Sequence, residues 1–269
     1  MTAQLHQWFT PRWVCEAIIE RHYQRLDLAD VVLEPSCGDG RFLQALPSEI
    51  NAIGVEIDPA LAQAAREATG RTIITGDFLT ADIPGPITHV VGNPPFSSDL
   101  IHGFLDRAHG LLEDGGSCGL LLPAYVLQTS SKVMAMNRRW SISQELMPRN
   151  VFPRLKLPLV FAMFRKDRLR TLVGFFLYRE AADVAAMPKD VKQALEQPQA
   201  GSVWRRAVRT AFERVGESSA TLDRLYATVE RPSENRFWRE KVRQVLQTYP
   251  EFQRAGAGTW AMREEAEVA

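Results

Sequence analysis

At 269 residues, 45% hydrophobic and 24% charged, the chain is long enough for one sizeable α/β domain and a smaller appendage. No run approaches the ~18 uninterrupted apolar residues of a membrane helix, and no basic region followed by a long apolar core opens the chain, so no leader, no membrane contact and a cytoplasmic location are expected. The net charge of 0 conceals an asymmetry: residues 1–131 hold 7 Lys/Arg against 16 Asp/Glu, residues 132–170 hold 10 against 2, and residues 171–269 hold 15 against 14.

Thr10-Pro11 predicts a helix N-cap with proline at the first helical position, opening a helix over 12–25 with Val14, Ile18 and Ile19 on its apolar side. Val31-Val32-Leu33 predicts a strand, followed by a Gly-containing turn and a helix over 41–46. A second strand is expected over 52–57, a helix over 60–68 opened by Asp58-Pro59, a third strand over 72–75 and a fourth over 89–92. A helix over 99–112 should stop at Asp114-Gly115-Gly116, and a fifth strand over 117–122 should end at Pro123. This alternation predicts an α/β fold with a doubly wound, mainly parallel sheet. Two apolar, aromatic-rich runs over 159–165 and 171–178, separated by Lys166-Asp167-Arg168, are expected to close one end as an antiparallel hairpin.

The Ala/Gln/Pro-rich stretch over 182–201 reads as a linker between a domain over 1–182 and a C-terminal domain over 200–269. Within the latter, amphipathic stretches over 203–215, 221–230 and 235–249 precede a segment in which Gly256 and Gly258 separate Phe252 from Trp260, as in a two-stranded wing. That is the outline of a winged-helix domain, whose third helix can enter the major groove. Arg236, Arg239, Lys241 and Arg243 would be its DNA contacts. The other reading is a helical cap or dimerisation element with Trp238, Val242 and Leu246 buried.

Asn93-Pro94-Pro95-Phe96 follows the fourth strand. Neither proline has a backbone N–H, so the turn offers the Asn93 side-chain oxygen, the Pro94 carbonyl and the face of Phe96. Two acceptors beside a stacking platform suit a planar group bearing an amine, such as a nucleobase; a plain surface turn is the alternative. Upstream, Leu33-Glu34-Pro35-Ser36-Cys37-Gly38-Asp39-Gly40 is a Gly-rich turn that contains no Lys or Arg. Its acidic Glu34 and Asp39 would repel a pyrophosphate and suit a ligand with an amino group and a sulfonium. Glu56 lies 18 positions after Gly38, near the ~20-residue spacing at which an acidic residue binds ribose hydroxyls. Asp77-Phe78 follows the third strand, where the Asp can accept from an adenine amine and the aromatic can pack on the ring.

Cys15, Cys37 and Cys118 are scattered, and the five histidines do not cluster with them, so no metal site and a reducing compartment are expected. The basic segment over 132–170, which includes Arg138, Arg139, Arg154 and Lys156, is the footprint expected for a polyanion.

In combination these motifs resemble the S-adenosylmethionine-dependent DNA N6-adenine methyltransferases whose cofactor motif precedes the catalytic one. Phe9-Thr10-Pro11, the Gly-rich turn, Gly54-Val55-Glu56-Ile57-Asp58, Gly76-Asp77-Phe78 and Asn93-Pro94-Pro95-Phe96 carry the resemblance, over about residues 7–180. The resemblance implies S-adenosylmethionine as cofactor, held by Phe9, Thr10, Pro11, Glu34, Pro35, Cys37, Gly38, Gly40, Glu56, Ile57, Asp77, Phe78 and Asn93. It implies double-stranded DNA as partner, with the target adenine flipped out onto Asn93, Pro94, Pro95 and Phe96. Only about 90 residues follow the sheet, fewer than the recognition domain many such enzymes carry, so a homodimer on a palindromic site is expected. A cognate restriction endonuclease is a candidate partner. The same tetrapeptide would also serve a methyltransferase acting on an RNA base or a protein glutamine amide, and a non-catalytic DNA-binding regulator could use the same scaffold.

Overall fold

The computed structural model describes residues 9–152, 155–189, 192–193, 203–229 and 237–263. The chain divides into two compact units, 1–176 and 177–269. In the first, β1 (Val31–Glu34), β2 (Asn51–Glu56), β3 (Thr72–Thr75), β4 (Ile87–Gly92), β5 (Leu112–Pro123), β6 (Ser141–Leu146), β7 (Leu159–Arg165) and β8 (Leu172–Val173) form one sheet. Their order is β3-β2-β1-β4-β5-β7-β6-β8. The strands β1 to β5 run parallel to their neighbours among themselves, whereas β7 is antiparallel to both β5 and β6.

The connecting helices are α1 (Arg12–His22), α2 (Arg41–Ala45), α3 (Pro59–Thr69), α4 (Ser98–Leu111) and α5 (Ser130–Asn137). Successive side chains of a strand point to opposite faces, and the buried residues divide accordingly. Val32, Val91, Leu121, Phe161 and Met163 join Val14, Cys15, Ile18 and Ile19 of α1 in one core. Their strand neighbours Leu33, Val90, Leu120, Leu122 and Phe164 are also buried but fall outside that core. On α4, Ile101, Phe104, Leu105 and Ala108 are buried, with the Phe104 ring 4.8 Å from that of Phe78. Each fully buried side chain of this size contributes about 1.5–3 kcal/mol.

Tyr23, just past α1, donates its hydroxyl to the Val90 carbonyl at 2.9 Å. Gly119 makes room for it, since a Cβ there would collide with the Tyr23 hydroxyl, Phe161 Cζ and Met163 Sδ. Asp58 caps α3 as expected, accepting from Ala60 N at 2.8 Å and Leu61 N at 3.3 Å. At α1 the cap is Pro11 rather than Thr10, with no side-chain hydrogen bond, and the helix ends at His22 rather than at 25.

Three expectations need correction. Residues 159–165 do enter an antiparallel pair, but their partners are β5 and β6, not 171–178. Of the latter run only Leu172–Val173 is a strand, parallel to β6, and Phe176 is 85% exposed. Strand β6 itself lay hidden in the basic segment because SISQEL has one fully buried apolar residue, Ile142. Second, β5 begins at Leu112 directly after α4, so Asp114-Gly115-Gly116 lies inside the strand at a register shift instead of forming a separate turn. Third, the linker expected over 182–201 begins as helix: α6 covers Tyr178–Ala186.

In the second unit α6 is followed by α7 (Val203–Val215), β9 (Ser219–Thr221), α8 (Leu222–Thr228), α9 (Trp238–Thr248), β10 (Phe252–Gly256) and β11 (Thr259–Met262). The three strands make an antiparallel sheet in the order β10-β11-β9. Trp204, Val208 and Phe212 of α7, at helical spacing, share a core with Leu225, Trp238, Val242, Leu246 and Phe252. The described elements follow the order helix–strand–helix–helix–strand–strand, with β9 added to the two strands expected. Ser-Ala-Thr carries no strand signature of its own; it is ordered by pairing with β11, where Ala220 faces Trp260.

Candidate active site

Strand β1 lies between β2 and β4, so the chain order reverses across the β1–β4 boundary. Such a reversal leaves a crevice at the carboxyl ends of the strands. The turn after β1 has Gly38 at φ 53° and Gly40 at φ 82°. At Gly40 the conformation and the space both require glycine, because a Cβ would stand 2.8 Å from Thr69 Cγ2. Glu56, at the end of β2, fixes this turn: Gly38 N–H donates to its Oε2 at 2.8 Å and Asp58 N–H to its Oε1 at 3.0 Å. Cys37 N–H donates to the Val55 carbonyl at 2.9 Å.

The Asn-Pro-Pro-Phe turn after β4 is tied to the Gly-rich turn by the Ser36 hydroxyl, which donates to the Asn93 carbonyl at 3.2 Å. Pro35 packs against Gly92. From the end of β5, the Tyr125 hydroxyl donates to the Phe96 carbonyl at 2.9 Å. The Gly-rich turn, the Asn-Pro-Pro-Phe turn and the Phe9–Thr10 segment line one open cleft.

Of the residues expected to form the site, Phe9, Thr10, Glu34, Cys37, Gly38, Glu56, Ile57, Asn93, Pro94, Pro95 and Phe96 line this cleft. Pro11 caps α1, and Pro35 and Gly40 support the wall from behind. Asp77 and Phe78 are not among the lining residues. Phe78 is 2% exposed and packs on Phe104, so it does not offer its ring to a ligand, and Asp77 Oδ1 accepts from Leu79 N–H at 2.9 Å in a local turn. The expectation for Phe78 therefore fails: a buried aromatic partner from α4 occupies its face.

Charge in the cleft also differs from expectation. Residues 33–40 are acidic, but the next residue, Arg41, lines the same space. Its Nε donates to Asp39 Oδ2 at 2.9 Å, one Nη donates to the Thr10 carbonyl at 3.0 Å, and its guanidinium stands 5.1 Å from the Phe9 ring. Arg41 thus latches the Phe9–Thr10 segment to the Gly-rich turn. Glu34 is 3% exposed, and its Oε2 has no hydrogen-bond partner among the described residues. Burial holds its carboxyl well above the usual range, the Leu43 N–H pulls the other way, and Asp39 and Glu56 add to the rise. Burial likewise pushes the Cys15 and Cys37 thiols up, so neither is a nucleophile near neutral pH.

Chain direction splits the basic segment between two edges of the sheet. Strand β6 ends and β7 begins at the edge where the cleft lies, because Leu159 pairs with Pro123 at the carboxyl end of β5 and Leu146 pairs with Val160 of β7. Arg149 and Lys156 are exposed there. Arg138 and Arg139 precede β6 at the opposite edge and so lie away from Asn93, against expectation. Arg139 pairs with Asp106 of α4. Lys166, also at that edge, donates to the His109 and Leu112 carbonyls at the carboxyl end of α4. Lys166 thus serves a helix C-terminus, where positive charge is favourable. In the second unit, α9 buries Trp238, Val242, Val245 and Leu246 and exposes Arg239, Lys241 and Arg243. Arg239 lies 5.3 Å from the Tyr226 ring and Arg243 pairs with Glu240 at 3.2 Å. Arg154 and Arg236 lie outside the described residues.

Ser36, Arg41 and Tyr125 were not anticipated. Arg41 had a signal, since it follows Gly40 at a helix start; Tyr125 had none, because only the sheet brings it to Phe96.

No family model matches the chain. It is 34% identical over 148 residues to the Type II methyltransferase M.CvrRI of Paramecium bursaria Chlorella virus XZ-6E, covering 45% of this chain and 37% of that one. It is 26% identical over 171 residues to the Type II methyltransferase M.TthHB8I of Thermus thermophilus, covering 50% and 39%. The aligned regions thus span less than two-fifths of either curated relative. The M protein of the type I restriction enzyme EcoKI superposes with a TM-score of 0.52 at 20% identity, over 60% of this chain and 44% of that one. The large unit thus shares the Rossmann-like fold of class I S-adenosylmethionine-dependent methyltransferases.

Proposed function

We propose that this chain is a DNA methyltransferase that moves a methyl group from S-adenosylmethionine to the N6 amine of an adenine flipped out of double-stranded DNA. The observation that carries the reading is the Ser36–Asn93 hydrogen bond, which sets the Asn-Pro-Pro-Phe turn against the Gly-rich turn on one cleft. The residues present fit the cofactor: a buried carboxyl oxygen of Glu34 without a partner among the described residues suits a cationic group, and Glu56, 18 positions after Gly38, would take the ribose hydroxyls. Bound S-adenosylmethionine supplies an electrophilic methyl group on a positively charged sulfur.

The chain's own residues orient the acceptor. Asn93 Oδ1 and the Pro94 carbonyl accept the two N–H bonds of the adenine amine, which favours a pyramidal nitrogen with its lone pair available. Phe96 stacks on the base, and Tyr125 holds the Phe96 backbone. An amide oxygen is too weak a base to keep the proton, so Asn93 acts by positioning and dipole, and the amine nitrogen, acidified once it bears the methyl group, loses its proton to solvent. Arg149 and Lys156, on the cleft side, would meet the DNA backbone, and the exposed face of α9 would add a second contact. The chain would act as a homodimer on a palindromic site, and a cognate restriction endonuclease is its proposed companion.

The test is methyl incorporation from labelled cofactor into duplex DNA, ribosomal RNA and protein, followed by nucleoside analysis. N6-methyladenine in DNA is expected. Label confined to RNA or protein would overturn the assignment, and light scattering that finds a monomer with and without DNA would remove the dimer.

A further inference from the structure

Glu34 ends β1 with its Oε2 unpartnered among the described residues and its surface 3% exposed, at the wall of the cleft. Two further carboxylates face it, Asp39 from the turn and Glu56 from β2. The nearby cation on α2, Arg41, is committed to Asp39, the Thr10 carbonyl and the Phe9 ring. The thiols of Cys15 on α1 and Cys37 in the turn are held neutral by burial. A carboxylate in these surroundings, with no cation paired to it among the described residues, is costly, and neutralising it by a proton is the cheaper state.

We propose that Glu34 is protonated in the ligand-free cleft and gives up that proton when a cationic ligand group enters, so that binding of S-adenosylmethionine is coupled to proton release. The inference rests on the reading of the cleft as the cofactor site. The O–H bond of the Glu34 carboxyl breaks, the proton passes to the buffer, and the positive charge of the ligand takes its place, leaving the net charge of the pocket unchanged. Because the carboxylate is the binding form and its pKa is raised, affinity grows as pH rises toward that pKa.

The experiment is calorimetric titration of the full chain with S-adenosylmethionine at pH 7 in buffers of different ionisation enthalpy. About one proton released per ligand is expected for the native chain, and close to none for Glu34→Gln. Affinity of the native chain should rise about tenfold per pH unit between pH 6 and 7, below the ~7.7–8.0 range in which an α-amino group titrates. That series stands even if the variant fails to fold. S-adenosylhomocysteine, which lacks the sulfonium, says which cation displaces the proton: equal release points to the ammonium group, and release only with S-adenosylmethionine points to the sulfonium. Binding without proton release, or equal release from Glu34→Gln, overturns the inference alone. Absence of binding by calorimetry and by equilibrium dialysis overturns it together with the cofactor reading.

Discussion

The parallel half of the large sheet and its antiparallel half place their functional groups in opposite ways. In β3-β2-β1-β4-β5 every strand points the same way, so Glu34, Glu56, Asn93 and, just beyond β5, Tyr125 arrive at one edge. Residues far apart in the chain then share one cleft. In β7 and β6 successive strands reverse, so a contiguous run of basic residues is dealt alternately to both edges. Arg149 and Lys156 reach the cleft side, while Arg139 and Lys166 serve α4 at the other. A charge run is thus a guide to function only after strand direction is known.

Five substitutions would break or sharpen this contrast. Asn93→Ala, in the parallel half, is expected to lower kcat about 10²–10³-fold while cofactor affinity by calorimetry stays near native, since a positioned acceptor dipole is lost. Normal turnover would refute the role of the tetrapeptide. Gly119→Ala inserts a methyl where Tyr23, Phe161 and Met163 already meet. It should cost about 1–3 kcal/mol in denaturant unfolding, and an unchanged midpoint would show that α1 is free to move off the sheet. Lys156→Glu should weaken DNA binding about tenfold and flatten its salt dependence, whereas Arg139→Glu should leave DNA affinity alone and lower stability through the lost Asp106 pair. Equal losses of DNA affinity from both would erase the distinction between the edges. Tyr125→Phe removes one hydrogen bond to Phe96, worth about 0.5–1.5 kcal/mol. It should reduce kcat a few-fold with cofactor Kd unchanged; a change in cofactor Kd alone would place Tyr125 elsewhere in the chemistry.

Much of the parallel half was legible in the residues themselves. Short β-branched strands, Asp58-Pro59 as a helix start and the order of the Gly-rich and Asn-Pro-Pro-Phe turns depend on interactions within a few positions. Local rules reach that far. They failed at β6, where SISQEL is a strand only because β7 pairs with it, and at β9, where Ser-Ala-Thr is ordered by Trp260 and its neighbours. They failed also at Phe78, whose ring looked available until α4 laid Phe104 against it.

The chemistry of the cleft follows the same division. That an acidic Gly-rich turn and an amine-binding turn exist could be read from residue types, because proline, glycine and carboxylate act through their own geometry and charge. That Glu34 is buried beside two other carboxylates, that Arg41 spends its charge on Asp39, and that Tyr125 supports Phe96 from 29 positions away are products of packing. Burial and long-range proximity are properties of the assembled sheet, so no local pattern announces them.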